Sequence, residues 1–174
     1  EVEDTAAVLA VLKELEPYLG KTVFLCTFRS KAQGGERSLS KEACWELNRE
    51  VAKSGVADLV DLEFFETGNP GHEIKRLRQE GVRVVCSNHN FQKTPSVREM
   101  KEQLLEMVKA GGDFAKLAVM PEEKRDVLDL MVAVMEAKEQ CPGSHLIAMS
   151  MGKEGTISRL LGGWYGSEVT FASF

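Results

Sequence analysis

Residues 82–120 read VRVVCSNHNFQKTPSVREMKEQLLEMVKAGGDFAKLAVM, and this stretch decides the fold. Two near-continuously apolar runs, Val82–Ser87 and Ala115–Met120, flank a segment in which Met100, Leu104, Met107 and Val108 recur at helical spacing. An apolar run without alternation is what a parallel strand needs when helices cover both faces of its sheet. Ser96-Val97-Arg98-Glu99 has the form of a capping box, in which the serine and glutamate side chains satisfy orphan backbone donors at a helix start. Gly111 falls where a helix C-cap is expected. The stretch therefore reads as strand, helix, strand.

The same pattern extends in both directions. Further strand-like runs are Thr22–Phe28, Leu59–Phe64, Leu146–Met151 and Glu168–Phe171. Val8, Val11, Leu12 and Leu15 share one helical face, as do Ala43, Cys44, Leu47 and Val51. Val127, Leu128, Met131, Val134 and Met135 repeat in the same way. Pro121 suits the first turn of that last helix, where its missing N–H costs nothing. Gly55 and Gly81 fall as C-caps do. A leading helix followed by repeated strand–helix units implies a parallel sheet, either doubly wound or closed as a barrel. No Gly-x-Gly-x-x-Gly follows a strand, so a dinucleotide fold lacks its best signature.

The 174 residues, 43% apolar and 28% charged, fit an ordinary globular chain rather than a disordered one. A net charge of −5 leaves no basic footprint for nucleic acid. No run approaches a membrane span, and Glu1-Val2-Glu3-Asp4 lacks the basic-then-apolar order of a signal peptide. Cys26, Cys44, Cys86 and Cys141 form no Cys-x-x-Cys pair, and two of them sit in apolar runs. The expectation is a reducing, cytoplasmic setting.

In a parallel barrel, chemistry gathers at the C-terminal ends of the strands. There the chain places Arg29, then Asp61 and Glu63, then Ser87-Asn88-His89-Asn90, then Lys116, then Met149-Ser150-Met151-Gly152. Lys116 is apolar on both sides. Burying an ammonium is costly unless it is paired or loses its proton, and a neutral amine can attack a carbonyl carbon. A structural lysine whose head snorkels or pairs explains the same residue. His89 follows a strand in a polar cluster and is a candidate proton shuttle or an ordinary loop histidine. Arg29 and Arg159 can bind anions or hydroxyls, or form surface ion pairs. Met149 and Met151 share a strand face, as core or as pocket wall. His72 and His145 lie in turn-like contexts, His72 after Asn69-Pro70-Gly71, and receive no role. Ser158 has no neighbouring base. The three histidines are not spaced as a metal site, and none is expected.

Taken in register, these segments resemble one family. Ser87-Asn88-His89-Asn90-Phe91-Gln92-Lys93-Thr94-Pro95 resembles the histidine motif of type I 3-dehydroquinate dehydratases. Lys116-Leu117-Ala118-Val119-Met120-Pro121 is similar to their Schiff-base lysine motif. Ser150–Arg159 resembles their carboxylate-binding segment, continued by Gly166–Phe171. Thr27-Phe28-Arg29 with Gly34-Gly35, and Val60-Asp61-Leu62-Glu63, also match in family order. The resemblance implies an α/β fold of the (β/α)8 TIM-barrel type, here incomplete with about six of its eight strands. It implies a lyase of the shikimate pathway, leading to aromatic amino acids. Such an enzyme dehydrates 3-dehydroquinate to 3-dehydroshikimate through a lysine imine, with no metal or cofactor. Lys116 would form the imine and His89 would move the proton. Arg159 would hold the substrate carboxylate and Arg29 the ring and hydroxyls. Met149 and Met151 would wall the site, and Asp61 would join the polar network. A small-molecule substrate, no nucleic-acid or membrane partner, and a homodimer complete the expectation.

Two departures accompany the resemblance. The family carries a glutamate where this chain has Gln33. An amide can orient an imidazole but adds no negative charge, so the acid limb of a pH–rate profile is expected at lower pH than with glutamate. Residues 1–174 are expected to form a single (β/α)-barrel domain without counterparts of the family's first two strands, its Glu-x-Arg motif, its C-terminal lid and its closing helix. Two other readings use the same residues: a Schiff-base class I aldolase, and a truncated or impaired barrel serving as a binding or assembly module.

Overall fold

Apolar runs and capping signals become a series of strand–helix units in the computed structural model, which describes residues 5–66, 68 and 70–172. The expectations at residues 1–4 and at Asn69 lie outside the described residues. In chain order the elements are α1 (Thr5–Leu19), β1 (Leu25–Cys26), α2 (Lys41–Lys53), β2 (Leu59–Glu63), α3 (Gly71–Gln79), β3 (Arg83–Asn90), α4 (Val97–Lys109), β4 (Phe114–Val119), α5 (Lys124–Gln140), β5 (Leu146–Ser150) and α6 (Thr156–Leu161). Short 3₁₀ turns lie at Lys31–Gln33 and Gly162–Tyr165. The strands form one sheet in the order β1-β2-β3-β4-β5. A doubly wound sheet reverses direction at a switch point; this order never reverses, and sequential order is that of a (β/α)8 barrel. The chain divides into two compact units, Glu1–Val85 and Cys86–Phe174.

In the first unit, β1 pairs in parallel with β2 through Leu25↔Leu59 and Cys26↔Val60 only. The expected seven-residue run at Thr22–Phe28 shortens because the Asp58 carboxylate takes the Phe24 N–H at 2.7 Å, ending the ladder. Leu47, Val51 and Ala52 of α2, Val60 and Leu62 of β2, and Ile74 and Leu77 of α3 are buried. Each leucine, valine or isoleucine among them contributes about 1.5–3 kcal/mol by leaving water. On α1 only Leu12 is buried, while Val11 and Leu15 are exposed, so the amphipathic face read from sequence is mostly in solvent. Ala43 is exposed as well. His72 lies in the first turn of α3 rather than in a turn. Arg49 of α2 clamps the buried Glu73 of α3 with two hydrogen bonds at 3.0 and 3.1 Å, linking the two helices.

In the second unit, β4 and β5 pair in parallel over five residues, from Ala115↔Leu146 to Val119↔Ser150. Helix α4 starts at the expected capping box, with Ser96 and Glu99 reciprocally bonded. It buries Met100, Leu104 and Met107 completely. Helix α5 buries Val127, Met131 and Val134 but leaves Leu128 and Met135 exposed. A 3.6-residue repeat selects a stripe, and the sequence reading drew that stripe too wide. Pro121 precedes α5 instead of opening it; the helix begins at Lys124, behind a second capping box from Glu123 and Asp126. The run Glu168–Phe171 is not a strand. Its only ladder contact is a single bridge beside it, Ser167↔Leu146, because Ser167 bonds inward to Ala148. The described residues thus hold five strands where the sequence suggested six.

Candidate active site

Lys116 is the third residue of β4 and pairs with Ile147 of β5. Side chains alternate across a strand, so Lys116 and Ala118 share a face with Ile147 and Met149, while Leu117 and Val119 face the other way. Lys116 is only 6% exposed. Its ammonium lies 4.4 Å from the centre of the Phe171 ring, within cation–π range.

Arg159 projects from α6. One guanidinium nitrogen donates to the Phe171 carbonyl at 2.7 Å and lies 3.7 Å from the Met149 sulfur. Among the described residues no carboxylate forms an ion pair with it. A half-buried guanidinium held by neutral groups alone is a natural receptor for an anion. The turn from β5 into α6 aims this residue. A Cβ at Gly155 would lie 2.2 Å from the Ser150 carbonyl oxygen, so only glycine permits the turn. Ser158 accepts the Ser150 N–H at 2.9 Å and donates to the Gly155 carbonyl at 2.7 Å. That serine is a structural tie between β5 and α6, in keeping with its lack of a base. Met151 lies one residue past β5 and extends the ladder by donating its N–H to Val119 at 2.8 Å.

His89 lies within β3, which runs three residues further than the Val82–Ser87 stretch read from sequence. Its half-buried ring stacks on Phe91, with centroids 6.2 Å apart and planes 15° apart. The next loop is closed by Asn90, whose side-chain oxygen accepts the N–H groups of Gln92 and Lys93. Thr94 then donates to the Met120 carbonyl at 3.0 Å, joining the histidine loop to the end of β4.

The first unit assembles a different cluster. Arg29 donates to Asp61 at 2.8 Å and to Glu63 at 3.0 Å, and both acids are buried. The Ser30 N–H also donates to Glu63, and Asn48 donates to the Asp61 carbonyl. Gly34 adopts a left-handed φ of 89°, and a Cβ on Gly35 would lie 1.9 Å from the Arg29 carbonyl oxygen. That pair folds the chain back against Arg29. Gln33 is buried beside it in the 3₁₀ turn. Cys44 has its thiol pushed up by burial and by the nearby Glu63 carboxylate.

Lys116, Met149 and Arg159, expected from sequence, do meet in the second unit, and Arg29 and Asp61 meet in the first. Phe171 was quoted within a motif and Glu63 was named among the polar residues at the strand ends, but neither was given a role. Neither ring contact nor ion pair spans a readable sequence interval. Among the described residues no group of three His, Cys, Asp or Glu could hold a metal ion, and no helix is long and apolar enough to cross a membrane.

The sequence profile of the family described as Type I 3-dehydroquinase matches residues 1–174. The 3-dehydroquinate dehydratase of Klebsiella pneumoniae subsp. pneumoniae is 42% identical over 177 residues, which cover 99% of this chain and 69% of that one. That of Listeria monocytogenes serotype 4a is 41% identical over 174 residues, at 99% and 69%. Among solved structures, the type I 3-dehydroquinate dehydratase of Clostridium difficile with covalently modified comenic acid superposes with a TM-score of 0.93 at 38% identity, covering 98% of this chain and 67% of that one. The enzyme from Geobacillus kaustophilus gives 0.94 at 34% identity, covering 98% and 66%. With its profile matched from end to end and its β4 lysine on the sheet that these structures share, the chain belongs to the type I 3-dehydroquinase family.

Proposed function

We propose that this chain performs the family's reaction, the dehydration of 3-dehydroquinate to 3-dehydroshikimate, with Lys116 as the imine-forming residue. The observation that carries the assignment is a lysine buried in the middle of an apolar strand, with the Phe171 ring over its nitrogen and the Phe171 carbonyl held by Arg159, which no carboxylate pairs among the described residues.

The chemistry follows from these groups. The neutral Lys116 amine adds to the substrate ketone and the resulting carbinolamine loses water, giving an imine. The protonated imine draws electrons from the adjacent C–H bond. His89 takes that proton, the C–O bond of the neighbouring hydroxyl breaks, and the proton returns to the departing oxygen as water. Hydrolysis of the imine frees the product and the lysine. The Phe171 face favours the cationic imine as it favours the ammonium. Arg159 binds the substrate carboxylate, and Met149 and Met151 exclude water. Arg29, Asp61 and Gln33 bind the substrate ring and hydroxyls. A cytoplasmic setting and a homodimer are part of the same proposal. The four free cysteines support the first, and the exposed stripe of Leu128, Val132 and Met135 on α5 supports the second.

Incubation with 3-dehydroquinate and sodium borohydride tests the reading. A reduced adduct should map to Lys116 by mass spectrometry and vanish in Lys116→Ala. Trapping with a ketose phosphate but not with 3-dehydroquinate would assign an aldolase instead. Absence of any adduct would leave a binding module.

A further inference from the structure

Phe171 and its carbonyl lie on a segment without secondary structure, and something must hold that segment in place. Ser167 donates its N–H to Gly162 at 2.9 Å and accepts the Ala148 N–H on its hydroxyl at 2.9 Å. The Glu168 N–H donates to Leu146, the first residue of β5, at 2.8 Å. The Glu168 side chain then makes two further contacts on different elements. Lys138 of α5 donates to one carboxylate oxygen at 2.6 Å, and His145 Nδ1 lies 2.6 Å from the other. Lys138 also donates to the Ser144 carbonyl, tying the end of α5 to the turn before β5. From Val169 to Ala172 the described residues make no backbone bond to a strand, and Val169 and Thr170 are exposed. Three residues of chain span at most about 10 Å, so any slip at position 168 passes directly to position 171.

We propose that Glu168 is a positioning residue: its grip on Lys138 and His145 fixes the segment that lays the Phe171 ring on Lys116 and the Phe171 carbonyl on Arg159. The proposal rests on Lys116 being the imine-forming residue only where it concerns turnover; the placement of Phe171 is testable without substrate. Burial alone pushes the Glu168 carboxyl up. The hydrogen bonds and charges of Lys138 and His145 outweigh it and hold the group below the ordinary carboxylate range, as a firmly engaged anchor requires.

The substrate-free arm measures reductive methylation of Lys116 by formaldehyde and cyanoborohydride, mapped by mass spectrometry. Glu168→Ala should speed it on the order of tenfold, the scale of one charge-assisted hydrogen bond. Phe171→Ala should do the same, and the double variant should be no faster than the faster single variant, because both changes remove one ring from one amine. Lys138→Met should reproduce Glu168→Ala from the α5 side. Glu168→Gln should recover most of the protection, since the amide oxygen still accepts from Lys138.

The second arm measures turnover of 3-dehydroquinate. Glu168→Ala should raise KM on the order of tenfold while kcat stays within about threefold, because loosening Arg159 weakens substrate and transition state alike. Arg125→Ala, which breaks an exposed ion pair with Asp129 on α5, should leave both constants unchanged. Unchanged methylation in Glu168→Ala, or a double variant whose effect is the product of the two singles, overturns the proposal. Failure of wild-type protein to trap 3-dehydroquinate on Lys116 overturns the assigned reaction, and the methylation arm still decides the role of Glu168.

Discussion

The two arginines expected to bind substrate sit in opposite electrostatic settings. Arg29, in the first unit, is held by two buried carboxylates at 2.8 and 3.0 Å. Arg159, in the second, is held by a backbone carbonyl and a thioether, with no acid paired to it among the described residues. By residue type alone both are anion or hydroxyl binders, and the family resemblance assigns Arg159 to the carboxylate and Arg29 to the ring and hydroxyls. The difference teaches that an arginine's partners decide what remains of it for a ligand. Arg29 carries a compensated charge and a fixed direction, which suits hydroxyl groups. Arg159 meets no counter-charge among the described residues, which suits a carboxylate.

The largest expected effect tests whether the second unit holds the chemistry. Lys116→Ala should lower kcat by at least about 10⁴-fold, the usual scale for loss of a covalent nucleophile, while the melting temperature stays level or rises, since a buried ammonium is removed. A variant that retains measurable imine-dependent turnover would move the nucleophile elsewhere.

Arg159→Ala comes next. If Arg159 meets the substrate carboxylate as proposed, its removal should raise KM on the order of 100-fold with little loss of stability. Arg159→Lys should recover only part of this, because an ammonium keeps the charge and loses the two-pronged fork. Equal KM for Arg159→Ala and wild type would erase the contrast with Arg29.

The first unit should respond in stability more than in affinity. Asp61→Asn leaves Arg29 short of one of its two buried counter-charges and should cost about 3 kcal/mol in chemical denaturation. A loss below about 0.5 kcal/mol would place that ion pair among the surface pairs that contribute little.

The smallest effect concerns Glu168 and acid. Its folded-state carboxyl titrates below its ordinary range, so its contribution to stability is complete above the unfolded value and fades as pH falls through the folded one. The melting-temperature gap between wild type and Glu168→Gln should therefore close as the solution is taken below about pH 4. A gap that widens in acid would reverse the sign and detach Lys138 and His145 from this carboxylate.

Much of this site could be read along the chain, for a specific reason. Lys116, Met149 and Met151 announce themselves because an apolar run of strand length carries period-two information about faces, and the capping box at Ser96 and Glu99 is a local signal within four residues. The glycines at 55, 81 and 111 were read as C-caps and do adopt positive φ, at 72°, 94° and 96°. What could not be read depends on partners far away in sequence. The Asp58 carboxylate shortens β1 from a position 34 residues beyond Phe24. Leu128 and Met135 fit the helical repeat of α5 yet face solvent, because periodicity says which residues share a face and nothing about what covers it. Glu168–Phe171 has strand-like composition but bonds through Ser167 and Glu168 side chains, which no alternation rule detects.

By itself, then, the sequence determined the strand–helix alternation, the lysine in its apolar strand and the family to which the order of motifs belongs. These are local or short-period properties, set by backbone geometry and burial. The tertiary structure alone decided that Phe171 covers the Lys116 amine, that Glu168 anchors Phe171 through Lys138 and His145, and that Arg29 is paired with two carboxylates while Arg159 is paired with none among the described residues. Those facts are electrostatic pairings between residues 12 to 55 positions apart, and the energy of such a pair depends on distance in space, which the linear order of residues does not encode.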